Sequence, residues 1–316
     1  MVSRFFTKGL TKAFLSNSQW QKGVKIFCFH GLVQSINKSK LSRNFHNIND
    51  FTSIIEFLNN KRSLKISDIN SKNGVSLGNV ITFDDGYANN LIAAEILSKN
   101  KIPWTLFITT GCIGNTRIIW TIELSLLILH GNANHLDLMG NKWNLHTTEQ
   151  RDQAFQAIRY PMKELPMDQV LKTMDELRSQ FPKEETIRLL EEFPEFQMLT
   201  WDEVRQLSNA GVAIGSHGVV HAIHHNQQPS ELRINELEES KSIIEKIIQK
   251  PCTDFTFPNG NYVQSSTDEV TQAGYTHAFS LDQKTVKKDH NSIIYPRITA
   301  PGTLASFVEN YYWVIE

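Results

Sequence analysis

The sequence predicts an α/β protein built on a parallel sheet that curls into a barrel. Two observations carry this reading: short apolar runs recur along the chain, and helical stretches separate them. Val24–Phe29 is the first run and ends at His30-Gly31. Ile54–Asn60 reads as a helix, Val80–Phe83 as the next strand, Leu91–Asn100 as a helix and Trp104–Ile108 as a third strand. Val212-Ala213-Ile214 is a further apolar run. Between Leu232 and Lys250, Ile234, Leu237, Ile243, Ile244 and Ile247 stand among charges and mark the clearest amphipathic helix. Asp254–Phe257, Ala278–Leu281 and Ile293–Tyr295 supply later strands. A barrel of this kind keeps its chemistry at the C-terminal ends of the strands.

From Gly114 to Trp201 the alternation breaks. Leu136–Leu145 reads as a hairpin turning around Gly140-Asn141, and Glu149–Glu192 is charged, helical and punctuated by Pro161, Pro166 and Pro182. Residues 115–198 are therefore read as a helical insertion in a single barrel domain, 24–316, preceded by an N-terminal extension, 1–23. The insertion would lie near the barrel mouth, where it either selects the substrate or shields a flank. Thr200 followed by Glu203 has capping-box spacing, so a helix restarts the barrel there.

With 316 residues, 40% of them hydrophobic, the chain can bury a substantial core. A net charge of -1 and dispersed Lys and Arg disfavour nucleic acid as a partner. Cys28, Cys112 and Cys252 form no Cys-x-x-Cys pair and read as buried thiols. Residues 1–19 are basic, but Lys8, Thr11 and Lys12 interrupt any secretory apolar core, and no run reaches the roughly 18–20 apolar residues of a membrane span. The expected location is the cytoplasm. Arg4, Lys8 and Lys12 opposite Phe5, Leu10 and Phe14 leave two readings of the first helix: peripheral contact with the inner membrane face, or packing on its own domain.

Two motifs carry chemistry. Thr82-Phe83-Asp84-Asp85-Gly86-Tyr87 delivers adjacent carboxylates at a strand end, and because neighbours alternate across the pleat, Asp84 and Asp85 should point in different directions. One can hold a metal while the other takes a proton. Taken alone, Asp-Asp-Gly is also an ordinary turn. His217-Gly218-Val219-Val220-His221 places two imidazoles four residues apart, on a helical turn or converging from a loop, which suits two nitrogen ligands of one divalent ion. With Asp85 they make a two-His, one-carboxylate set that leaves positions open for water and substrate.

These motifs, with Phe255-Thr256-Phe257-Pro258-Asn259-Gly260-Asn261-Tyr262, resemble those of the polysaccharide deacetylases of carbohydrate esterase family 4, the NodB-homology domain. The resemblance spans Val24 to Arg297 apart from the insertion. It implies a distorted (β/α) barrel of seven strands. It also implies Asp84 as general base, Asp85 with His217 and His221 as metal ligands, and an N-acetylated amino sugar as substrate. The N2O ligand set suits zinc, with cobalt or nickel as substitutes. A backbone N–H around Pro258-Asn259-Gly260 would serve the oxyanion.

The chain also departs from the family pattern. Gly218 stands where Ser or Thr is usual, Thr256 stands where many members carry an Arg that orients the base, and no Leu-His motif occurs near the C-terminus. Arg297 is the candidate replacement for the missing Arg. For the general acid, His30 resembles the early-strand His of biofilm-polysaccharide deacetylases and is preferred to His277. His224 and His225 read as loop residues. Two alternatives to a glycan deacetylase stay open: an amide hydrolase of the same fold acting on a non-sugar substrate, and a degenerate glycan-binding module. The retained Asp84 speaks against the second, since binding needs no base.

Overall fold

The computed structural model describes residues 23–35, 44–69, 77–114, 117–287 and 290–313. β1 (Val24–Phe29) is followed by the short pair β2 (Leu32–Val33) and β3 (His46–Asn47), then α1 (Ile48–Asn59), β4 (Gly78–Phe83), α2 (Asn90–Lys99) and β5 (Trp104–Ile108). The insertion contains α3 (Trp120–His130), the hairpin β6 (His135–Leu138) and β7 (Asn141–Asn144), α4 (Thr148–Lys163), α5 (Met167–Arg178) and α6 (Glu185–Glu192). α7 (Trp201–Asn209), β8 (Ala213–Ser216), α8 (Ser230–Ile248), β9 (Asp254–Thr256), α9 (Ser266–Gln272) and β10 (His277–Phe279) return to the barrel. β11 (Ile294–Tyr295), β12 (Ile298–Thr299) and α10 (Leu304–Trp313) end it.

Eight parallel strands lie in the order β11-β10-β9-β8-β5-β4-β1-β12. The two edge strands are consecutive in the chain, separated only by Pro296 and Arg297. β11 pairs with β10 through Phe279↔Tyr295, and β12 pairs with β1 through Phe27↔Ile298. One strand broken at Pro296 thus bridges both edges, which reconciles eight paired segments with the expected seven-strand ring. Proline has no N–H to offer a ladder, so the break falls where pairing would be lost anyway. All six residues of β1 are buried, as expected of a parallel strand covered on both faces. Val24, Ile26, Val80, Phe107 and Phe279 share one cluster, while Phe27, Phe29, Ile81 and Phe83 belong to the core that includes Ile54, Leu97 and Phe307 of the helices.

Local chemistry shifts several element boundaries. α1 starts at Ile48 rather than Ile54 because the Asn47 side chain accepts from Asn49 N–H at 2.8 Å and caps the helix earlier. The capping box forms: Thr200 Oγ1 accepts from Glu203 N–H and Glu203 Oε2 accepts from Thr200 N–H. The hairpin turns one residue early, on Met139 and Gly140 at φ 54° and 72°, and Leu138 faces Asn141. Pro161 lies inside the last turn of α4 rather than ending it.

The insertion has its own apolar core. Leu124, Leu127, Phe155, Ile158, Met162 and Met174 cluster together and join Phe45 and Tyr87 at the barrel mouth. Glu123, buried on α3, accepts from Arg178 Nε and Nη2 at 2.9 and 2.6 Å and so ties α3 to α5. No described helix is long and apolar enough to cross a membrane. The amphipathic reading of the first residues lies outside the described chain, as does nearly all of the 1–23 extension.

Candidate active site

The site is built where β4 ends. Asp84 N–H still donates to Phe29 O at 3.0 Å, but Asp85 and Gly86 take φ 78° and 92°. A left-handed aspartate is uncommon and is held here by its surroundings. The reversal splits the pair, sending Asp84 to a guanidinium and Asp85 to two imidazoles.

Asp84 is met by Arg297 in a bidentate contact, Nη1 to Oδ1 at 2.7 Å and Nη2 to Oδ2 at 2.6 Å. Both side chains are almost fully buried. Burial alone would raise the Asp84 pKa, but the charge and hydrogen bonds of Arg297 outweigh it and hold the carboxyl below its ordinary range. Arg297 also donates to Thr82 Oγ1 and Thr256 Oγ1, and Nε reaches Ser280 O. A small residue at 256 therefore leaves room for an arginine arriving from the far edge of the sheet. Cys28 Sγ lies 3.3 Å from Asp84 Oδ2; burial pushes its thiol well up, so the S–H is retained and donates.

His217 Nε2 and His221 Nε2 stand 3.4 and 3.6 Å from Asp85 Oδ1. The pair comes from a loop, with Gly218 at φ 80° and His221 at φ 59°. His217 Nδ1 donates to Thr256 O at 2.9 Å, since a carbonyl can only accept, so in the neutral ring the Nε2 lone pair faces Asp85. Burial alone would lower the His217 pKa, but Asp85 and Asp84 outweigh it and raise it. Burial pushes the His221 imidazole down to about 3 and so keeps it neutral. The residues fit a divalent ion. Asp85 Oδ1 is buried without a hydrogen-bond partner, and the three donor atoms lie within 4.8 Å of one another. Donors about 2.1 Å from a shared ion at tetrahedral angles stand about 3.4 Å apart, close to the two spacings found.

Glu236, on α8, is a site residue that no sequence motif marks. Its carboxylate accepts from Val219 N–H at 2.9 Å and Val220 N–H at 3.2 Å, bracing the histidine loop. Gly218 stands at φ 80°, a conformation that residues with a side chain rarely adopt, and a Cβ there would also come within 2.5 Å of Glu236 Oε2, which explains the glycine where the resemblance expects a side chain. The one available signal is that Arg233, Glu236 and Ser240 lie on the same buried stripe of α8 as Leu237 and Ile244. Trp120 Nε1 donates to His221 O at 3.2 Å, so the insertion braces the loop as well.

Asp84, Asp85, His217, His221, His30 and Asn259 line one pocket of about 310 Å³, together with Tyr87, Ile119, Phe155, Arg159 and Lys163. A ring nitrogen of His30 lies within 4.8 Å of an Asp84 oxygen. Of the Pro258-Asn259-Gly260 turn, only Asn259 faces this space, and Gly260 N–H is already given to Phe257 O at 2.8 Å. Gly260 is thereby removed as an oxyanion donor. His277 begins β10, at the opposite end of the parallel sheet, and its Nδ1 pairs with Asp254 Oδ1 at 2.8 Å. It cannot reach the pocket. His224 lies in the loop, as expected, but is buried there: it is 1% exposed and packs on Phe255 and Phe257. His225 Nε2 bonds Leu165 O at 3.2 Å, toward the insertion. All three cysteines are free and buried.

The sequence model of the polysaccharide deacetylases matches residues 78–278. The chain belongs to this family. The match spans both carboxylates and both histidines but stops short of His30 and Arg297. Among solved structures, the Streptococcus pyogenes deacetylase PplD, in complex with acetate, aligns with a TM-score of 0.59 at 13% identity over 93% of this chain and 98% of that one. IcaB from Ammonifex degensii aligns with 0.59 at 14%, over 93% and 97%. A de-N-acetylase from Aggregatibacter actinomycetemcomitans aligns with 0.54 at 17%, over 91% and 99%. At such identities the likeness establishes the fold. No curated protein matches the chain significantly.

Proposed function

We propose that this polysaccharide deacetylase is a divalent-metal-dependent hydrolase that removes N-acetyl groups from an amino sugar of a polysaccharide or a lipid-linked glycan precursor. The observation that carries the reading is the division of the two carboxylates, Asp85 to His217 and His221, Asp84 to Arg297. Asp85, His217 and His221 would hold the ion, zinc by their N2O chemistry, which when bound polarises the acetamide carbonyl and makes water more acidic. Asp84 takes the proton of the attacking water. Arg297 keeps that base ionised and fixed in orientation; Oδ2 accepts from both Arg297 and Cys28, so Oδ1 is the oxygen that retains a lone pair for the proton. Asn259 N–H is the remaining backbone donor of its turn for the carbonyl oxygen as charge develops. His30 gives a proton to the departing amine.

The deciding experiment is acetate release from N-acetylated amino-sugar oligomers by the zinc-loaded chain, with the same chain after chelation as control. Release that survives complete chelation would refute metal dependence; no release from any N-acetylated sugar would refute the substrate class. His30→Ala is expected to keep fold and metal, lower turnover and remove the acidic group from the pH–rate profile. A variant that loses zinc together with rate would make His30 a brace of the site, and a metal-replete, fully active variant would move the acid elsewhere.

A further inference from the structure

The insertion presents one face of α4 to the pocket. Phe155, Arg159 and Lys163 stand four residues apart, share that face, and all line the space that holds Asp84 and Asp85. Ala154, Ile158 and Met162 are buried in the insertion core and fasten the helix in this orientation. Lys163 Nζ donates to Asn259 Oδ1 at 2.9 Å, in the same pocket as His221. The Arg159 guanidinium lies over the rings of Phe155 and Tyr160, at 5.3 and 4.3 Å. Its Nε is buried without a hydrogen-bond partner, and among the described residues its one hydrogen bond is to Tyr160 OH. An arginine pre-oriented by aromatic faces, with donors still unused, is built to take an oxyanion.

The charge balance points the same way. Arg297 neutralises Asp84, and a divalent ion would outweigh Asp85, so the two insertion cations make the pocket positive. A neutral sugar gains nothing from that field, whereas an anionic one is drawn in and held.

We propose that Phe155, Arg159 and Lys163 form a subsite for an anionic group, a carboxylate or a phosphate, on the same sugar substrate whose N-acetyl group faces Asp84. This rests on the deacetylase reading for where the acetamide lies. The subsite answers the choice left by the sequence: the insertion selects the substrate.

The test is calorimetric binding to the full zinc-loaded chain carrying Asp84→Asn, so that turnover does not interfere. The probes are N-acetylglucosamine 1-phosphate, N-acetylmuramic acid and neutral di-N-acetylchitobiose. At least one anionic sugar should bind about tenfold tighter than the neutral one. Which of them does so identifies phosphate or carboxylate. Arg159→Gln should erase that margin and Lys163→Gln should reduce it, whereas Lys172→Gln, an exposed change on α5, should leave it intact. About 0.5 M salt should shrink it. Equal binding of all three sugars, or a margin that survives both Arg159→Gln and Lys163→Gln, overturns the subsite. If the wild-type zinc-loaded chain released no acetate from any N-acetylated sugar while the Asp84→Asn chain kept an Arg159-dependent margin, the deacetylase reading would be refuted and the subsite would stand.

Discussion

Asp84→Asn is expected to keep the proposed metal ion and to lose acetate release by on the order of 10²-fold or more, because in the proposed mechanism the change removes the proton acceptor without removing a ligand. The geometry makes this a clean separation. Asp84 touches Arg297, Cys28 and the pocket, while the two imidazoles face Asp85. An asparagine there still offers one oxygen to Arg297, but its amide NH₂ then faces a guanidinium donor. Some loss of stability accompanies the change, so thermal unfolding should be followed beside the kinetics. Arg297→Lys serves as the companion: it retains the charge but not the bidentate fork, and should lower the rate less than Asp84→Asn while leaving metal content unchanged. Acetate release at the wild-type rate from metal-replete Asp84→Asn would remove Asp84 from the role of base.

The second large effect falls on the ion itself. His221→Ala and His217→Ala should each drop the metal content from about one ion per chain toward none, and activity should go with it. His224→Ala should keep the ion, because that ring packs against Phe255 and Phe257. Elemental analysis after gel filtration reads the three variants side by side. Full occupancy in His221→Ala would show that the ligands lie elsewhere. Of the two positions, His217 is the more firmly oriented, since its Nδ1 is anchored on Thr256 O, whereas His221 Nδ1 has no partner and the residue is steadied through its carbonyl by Trp120. His217→Ala should therefore leave a hole lined by a carbonyl, and His221→Ala should also loosen the contact with the insertion.

Much of the barrel is legible along the chain, because its signals are local. Apolar runs, the Thr200–Glu203 capping box and the amphipathic period of α8 are each written within a few residues, and each stands in the fold close to where the sequence puts it. Of the helices that the sequence reading leaves out, α3, α9 and α10, the first is buried on most of its faces, so it has no polar stripe from which a period could be recognised. β12 is hidden too, because two residues beyond a proline carry no pattern of their own. The site divides in the same way. Asp84-Asp85 and the His217–His221 spacing are local, and by residue type alone they point to a shared centre. Glu236 beneath the histidine loop and the Phe155-Arg159-Lys163 face over the pocket depend on which helix packs against which loop, and even the Arg297 candidate acquires its partner only when β12 closes against β1. Residue types and spacings determined what chemistry the chain can offer. Barrel closure and docking of the insertion decided which distant side chains meet it, since pairings across tens to hundreds of residues follow from burial and excluded volume over the whole molecule and leave no trace in a local window.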